Sequence, residues 1–85
     1  MELNRAFTVV NKAERHVAKA KRLAKLSEDL WEMGEIYEEA SKETQARSDE
    51  AMRNAEIETD ALLDFIRHAE YDDAKRVFRA VYGLY

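Results

Sequence analysis

The sequence predicts an all-α fold, a short antiparallel helical bundle, on three observations. The 85 residues include no proline and two glycines, which leaves little turn chemistry and makes long helices the natural product. Apolar residues recur three and four apart over most of the chain, the spacing of one helix face. Charged residues follow similar spacing on the remaining faces. A chain this short is close to the size at which a single core is marginal, so 1–85 is read as one helical domain for which a partner subunit is expected.

The first stripe is Leu3, Ala6, Val10, Ala13, Val17, Ala20 and Ala24, which predicts a helix near 3–25. From residue 26 a second set takes over: Leu26, Leu30, Met33, Tyr37 and Ala40. It falls on the side where Lys12, Arg15, Lys19 and Arg22 stood, and a break at Ser27 accounts for the shift. Ser27 has N-cap chemistry, Glu28 and Asp29 suit a first turn, and Leu26 with Trp31 occupy the staple positions. Lys21, Arg22 and Lys25 suit the last turn of the helix before it. The second helix is then expected near 28–46. The alternative is three helices with one long N-terminal helix, paired as a coiled coil, because no glycine closes the first helix at residue 25.

Ser48-Asp49-Glu50 repeats the Ser27-Glu28-Asp29 signature and opens a third helix near 49–69, with Met52, Ala55, Thr59, Leu62, Ile66 and Ala69 as its stripe. Asp72-Asp73 opens a fourth near 73–83, with Ala74, Val77, Phe78, Val81 and Tyr82 on one side. Between Glu38 and Asp60 apolar side chains are sparse, which predicts a thinly buried polar hairpin around 38–60 that projects from the core or docks on a second chain. The core is expected from Phe7, Val10, Val17, Leu23, Leu30, Met33, Leu62, Leu63, Ile66, Val77, Phe78 and Val81.

The stretch "AEYDDAKRVF", residues 69–78, resembles the turn between the two helices of a tetratricopeptide repeat, with Tyr71, Asp72, Ala74 and Phe78 at that motif's positions. The helix before it lacks the family's Trp and Gly, and there is no second copy, whereas such repeats need about three to be stable. The resemblance implies one antiparallel turn and no function.

Net charge is −4, divided unevenly: +5 over residues 1–26, −10 over 27–64 and +1 over 65–85. No cysteine is present, so neither a disulfide framework nor a thiolate metal site is available. The N-terminus lacks a signal-peptide core and no apolar run reaches membrane-span length, so a cytoplasmic protein without membrane contact is expected.

Lys12, Arg15, Lys19 and Arg22 form a basic stripe that can track phosphates or meet an acidic partner. It carries no interleaved aromatic and no Asn or Gln to read base edges. Glu28, Glu32, Glu35 and Glu39 form an acidic surface. A bundle di-iron site needs Glu three residues before His, and neither His16 nor His68 has one, so no metal or other cofactor is expected. Gly34 and Gly83 are isolated and form no phosphate loop. No Ser, His and Asp pattern suggests a triad, so no enzyme is expected; Asp64 and His68, one turn apart, read as a surface hydrogen bond.

Trp31, Tyr37, Tyr71, Phe78, Tyr82 and Tyr85 are the side chains best suited to anchor a protein interface. The expected function is therefore a small helical protein–protein interaction module: an adaptor, an inhibitor or an assembly subunit that forms homo-oligomers. A chain of this size also suits a phage or mobile-element regulator acting on a host protein in the host cytoplasm. The alternatives are a nucleic-acid-binding regulator using the basic first helix and an acidic inhibitor that mimics DNA.

Overall fold

A computed structural model describes residues 1–84, which form three α-helices and no strand. Helix α1 spans Leu3–Glu32, a 3-10 turn covers Glu35–Tyr37, α2 spans Glu38–His68 and α3 spans Tyr71–Tyr82. The four-helix expectation is corrected to its three-helix alternative. At 1.5 Å per residue, the 30 residues of α1 run about 45 Å, which sets the 54 × 16 × 16 Å shape of the molecule.

The expected breaks at Ser27 and Ser48 do not occur, because both hydroxyls bond across to the other helix instead of capping their own. Ser27 Oγ donates to the Ser41 carbonyl at 2.9 Å, and Ser41 Oγ donates to the Ser27 carbonyl at 2.8 Å. The two oxygens lie 3.0 Å apart. Each hydroxyl has one proton, so reciprocal donation to the carbonyls uses both and leaves the oxygen pair as a packing contact. Seven residues back along α1 and seven forward along α2, Ser48 Oγ donates to the Ala20 carbonyl at 2.7 Å. Both layers obey one antiparallel register. Extended by further heptads, it sets Ala13 against Ala55 and Ala6 against Leu62, all four fully buried.

A side-chain hydroxyl reaches a carbonyl of the facing helix only where small residues let the backbones approach. The seam supplies them every seventh position: Ala6, Ala13, Ala20 and Ser27 on α1, and Ser41, Ser48 and Ala55 on α2. A seven-residue repeat is the period of a coiled-coil seam. Residues 38–60 accordingly lie within one continuous helix, and the expected hairpin there is replaced by pairing with α1.

The turn between α1 and α2 depends on Gly34. Its φ of 112° and ψ of −176° lie in a region open essentially to glycine alone. The acids expected to start a helix instead sit near the end of α1, whose last turn has no basic residue. Anions there oppose the helix dipole at a cost of about 0.3 to 1 kcal/mol each, which the serine layer beside them offsets.

The third helix closes the other end. Val77, Val81 and Leu84 pack with Leu62 against Ala6, Val10 and Ala13. Leu62 and Val77 are the largest fully buried side chains among the described residues. Among the expected core residues, Val10, Val17, Leu62, Val77 and Val81 are buried, while Phe7, Leu23, Leu30 and Ile66 are half-buried. Met33, Leu63 and Phe78 are exposed instead, Met33 because α1 ends there and Phe78 because α3 turns Val77 and Val81 inward.

Candidate functional site

The α1–α2 turn gathers apolar side chains that stand open to solvent among the described residues. Trp31 and Met33 are 60% and 61% exposed, Ile36 is 90% exposed, and Leu26 and Tyr37 are also open to solvent. Trp31, Gly34, Glu35 and Glu38 line a shallow pocket at this tip. Leu26 and Trp31, expected as a staple, are left outside because α1 runs through Ser27 and points their side of the helix to water.

Carboxylates surround the apolar tip. Glu28 and Glu32 lie on α1, Glu35 on the 3-10 turn and Glu39 on α2, so the acidic surface read from the sequence spans three elements. Asp29 and Glu38 add to it; Asp29 lies 3.6 Å from Lys25, and Glu38 lies 3.4 Å from Lys42. Both pairs are exposed i,i+4 contacts worth roughly 0.3 to 0.5 kcal/mol.

Lys12, Arg15, Lys19 and Arg22 are all exposed on the outer side of α1, and among the described residues none of them is in an ion pair. Lys19 also lines a polar groove between the helices with His16, Arg47, Glu50, Ala51 and Asn54. His16 Nε2 stands 3.4 Å from Glu58 Oε1, and Glu58 Oε2 is buried with no hydrogen-bond partner. His68 and Asp64 lie 3.6 Å apart on the surface of α2. Among the described residues no group of three His, Asp or Glu side chains is arranged to hold a metal, and no helix is long and apolar enough to cross a membrane.

The remaining aromatics cluster at the opposite end. Phe78 and Tyr82 stack with ring centroids 6.3 Å apart and an interplanar angle of 27°, and both are exposed. They line an open groove with Thr59, Leu63 and Val81. Tyr71, at the start of α3, is 78% exposed. Tyr85 lies outside the described residues. Sequence reasoning missed Ile36, which lies outside the apolar stripes, and it assigned Leu63, which the structure leaves exposed, to the core.

The tetratricopeptide-like stretch does form a helix–turn–helix, with Ala69 and Glu70 extended between α2 and α3. No protein-family model matches the chain, and neither a curated protein nor a solved structure shows significant similarity to it.

Proposed function

We propose that the chain is a small helical protein–protein interaction module whose principal contact is the α1–α2 turn. The observation that carries this reading is the exposure of Trp31, Met33 and Ile36 together at one end of a rod 54 Å long. Large apolar side chains gathered in the open mark interaction sites, whereas scattered ones do not. Trp and Tyr are also the residue types that dominate binding energy in interfaces. The ring of carboxylates specifies the partner's chemistry: an apolar pocket rimmed by Lys and Arg, with the charges steering approach. The module has no catalytic role in this reading; it works as an adaptor, an inhibitor or an assembly subunit, in the cytoplasm and, for a mobile element, against a host protein.

A second reading has an observation of its own. The exposed Lys12, Arg15, Lys19 and Arg22 form a cationic edge along α1 that can follow a nucleic-acid backbone.

One experiment separates the two. A photo-crosslinker placed at Ile36 should capture a single protein saturably from the native cell, while one at exposed Ala18 should not. Capture should fail when Trp31→Ser is combined with Glu35→Lys. Duplex DNA measured in parallel should bind more weakly than about 10 µM at about 0.15 M salt. Submicromolar DNA binding that Lys19→Glu and Arg22→Glu abolish would replace the first reading with the second. Competition with DNA for the captured protein would identify the module as an acidic mimic.

A further inference from the structure

The proposal that this chain works through interfaces leaves open what covers the second apolar surface, the groove between α2 and α3. It is lined by Thr59, Leu63, Phe78, Val81 and Tyr82, with Phe78 52% and Tyr82 80% exposed. Away from the turn, where Arg67 and Asp72 lie, its two edges carry opposite charge. On the outer flank of α2, beside Leu63, lie Glu56 and Asp60, one turn apart and exposed. On the outer flank of α3, beside Phe78 and Tyr82, lie Lys75 and Arg79, also one turn apart and exposed. Among the described residues none of these four is in an ion pair.

We infer that the groove is the isologous interface of a homodimer, its occupant being the same groove of a second copy. A two-fold axis running along the groove sets α2 of each copy over α3 of the other. The acidic edge then meets the basic edge twice, and the Phe78–Tyr82 stack of one chain lies over Leu63 of its partner. A two-fold across the groove would instead set acid on acid and base on base.

Because α2 and α3 run antiparallel about their turn, Asp60 and Arg79 stand at nearly the same height along the axis. They are the pair that this symmetry brings face to face. Two cations share the α2 edge: Arg67 lies nearer the turn and level with Asp73, so it does not oppose Arg79, and Arg53 lies beyond the far end of α3. Such self-complementarity is what an isologous contact requires. It also explains why a chain with so few large buried side chains keeps two aromatic rings in the open.

The strip is short. Helix α3 has 12 residues, about 18 Å at 1.5 Å per residue, so the contact falls at the small end of specific interfaces. The dimer is therefore expected to be weak, with a dissociation constant of about 10 to 100 µM.

Sedimentation equilibrium of the full chain from about 5 to 500 µM tests this. The expected result is a reversible monomer–dimer equilibrium that Phe78→Ser abolishes. Ile57→Ser, at an exposed position on the other flank of α2, should leave it unchanged. Asp60→Arg and Arg79→Asp should each weaken association at least about tenfold, and the two together should restore it, with helicity by circular dichroism constant throughout. A monomer at every concentration, a dimer that survives Phe78→Ser, or a double reversal that fails to rescue would each overturn the inference. Capture through Ile36 uses the opposite end of the rod, so a negative result here leaves that reading standing, and the converse also holds.

Discussion

The two halves of the α1–α2 pair solve the same packing problem with different side chains. Toward the base, Leu62 meets Ala6, and α3 adds Val77, Val81 and Leu84, so burial of apolar volume holds the helices. Toward the turn there is no third helix, and the fully buried positions carry no large apolar residue; Leu23 and Leu30 are only half-buried beside them. Ala20, Ser27, Ser41 and Ser48 fill the seam, and three hydroxyls donate to carbonyls of the facing helix. One half draws on the hydrophobic effect. The other draws on close approach and directed hydrogen bonds, which contribute less energy and specify register more sharply. The difference explains how a polar stretch can carry a long rigid arm, and why the large side chains near its tip are left outside for a partner.

Substitutions should separate the two halves. The largest effect is expected at the base: Leu62→Ala should cost about 2 to 5 kcal/mol in chemical denaturation, because a fully buried side chain is removed from the main cluster. Farther along the seam the sign of the size change reverses. Ala13→Leu should cost about 1 to 3 kcal/mol, since Ala13 and Ala55 are both fully buried and nothing can make room. If that substitution were neutral or stabilising, the backbones would not be in close approach. In the polar half the effects are smaller. Ser27→Ala and Ser41→Ala should each cost about 1 kcal/mol, and the double variant should cost less than both together, because the two share one reciprocal pair. A Ser27 that merely capped a helix would leave Ser41→Ala nearly silent.

Much of this fold is legible in the sequence, but the helix boundaries are not. The stripe from Leu3 to Ala24 and the Val77–Val81 face of α3 follow from apolar spacing alone, and α3 was placed within two residues of its true start. The break at Ser27 was expected because Ser-Glu-Asp has N-cap chemistry and because the apolar phase shifts after Ala24. Both signals were local. The tertiary partner overrode them: Ser41 satisfies the Ser27 hydroxyl across the seam, and Leu26 and Met33 belong to the outer surface instead of a new core. The seven-residue recurrence of Ala6, Ala13, Ala20 and Ser27, matched by Ser41, Ser48 and Ala55, would have revealed the long helices. Counting only apolar residues hid it, since serine behaves in that seam as a small residue able to donate a hydrogen bond.

At the candidate sites, residue types were easier to read than surfaces. The basic stripe lies along one side of one helix, as its spacing requires. The acidic residues divide among α1, the 3-10 turn and α2, because the chain reverses at Gly34 between Glu32 and Glu35. The exposed aromatics divide between the two ends of the rod. Which end each would occupy depended on where the chain turns, and that is the point on which local signals and tertiary packing disagreed.

The whole architecture rests on the continuity of α1 through Ser27. Spin labels at Arg5 and Glu32, both exposed, measure it by electron–electron dipolar distance. An unbroken helix separates these Cα atoms by about 40 Å at 1.5 Å per residue, with a narrow distribution. A mean well below about 30 Å, or a broad distribution, would mean that the chain turns at Ser27 and would contradict the serine-sealed pair of long helices.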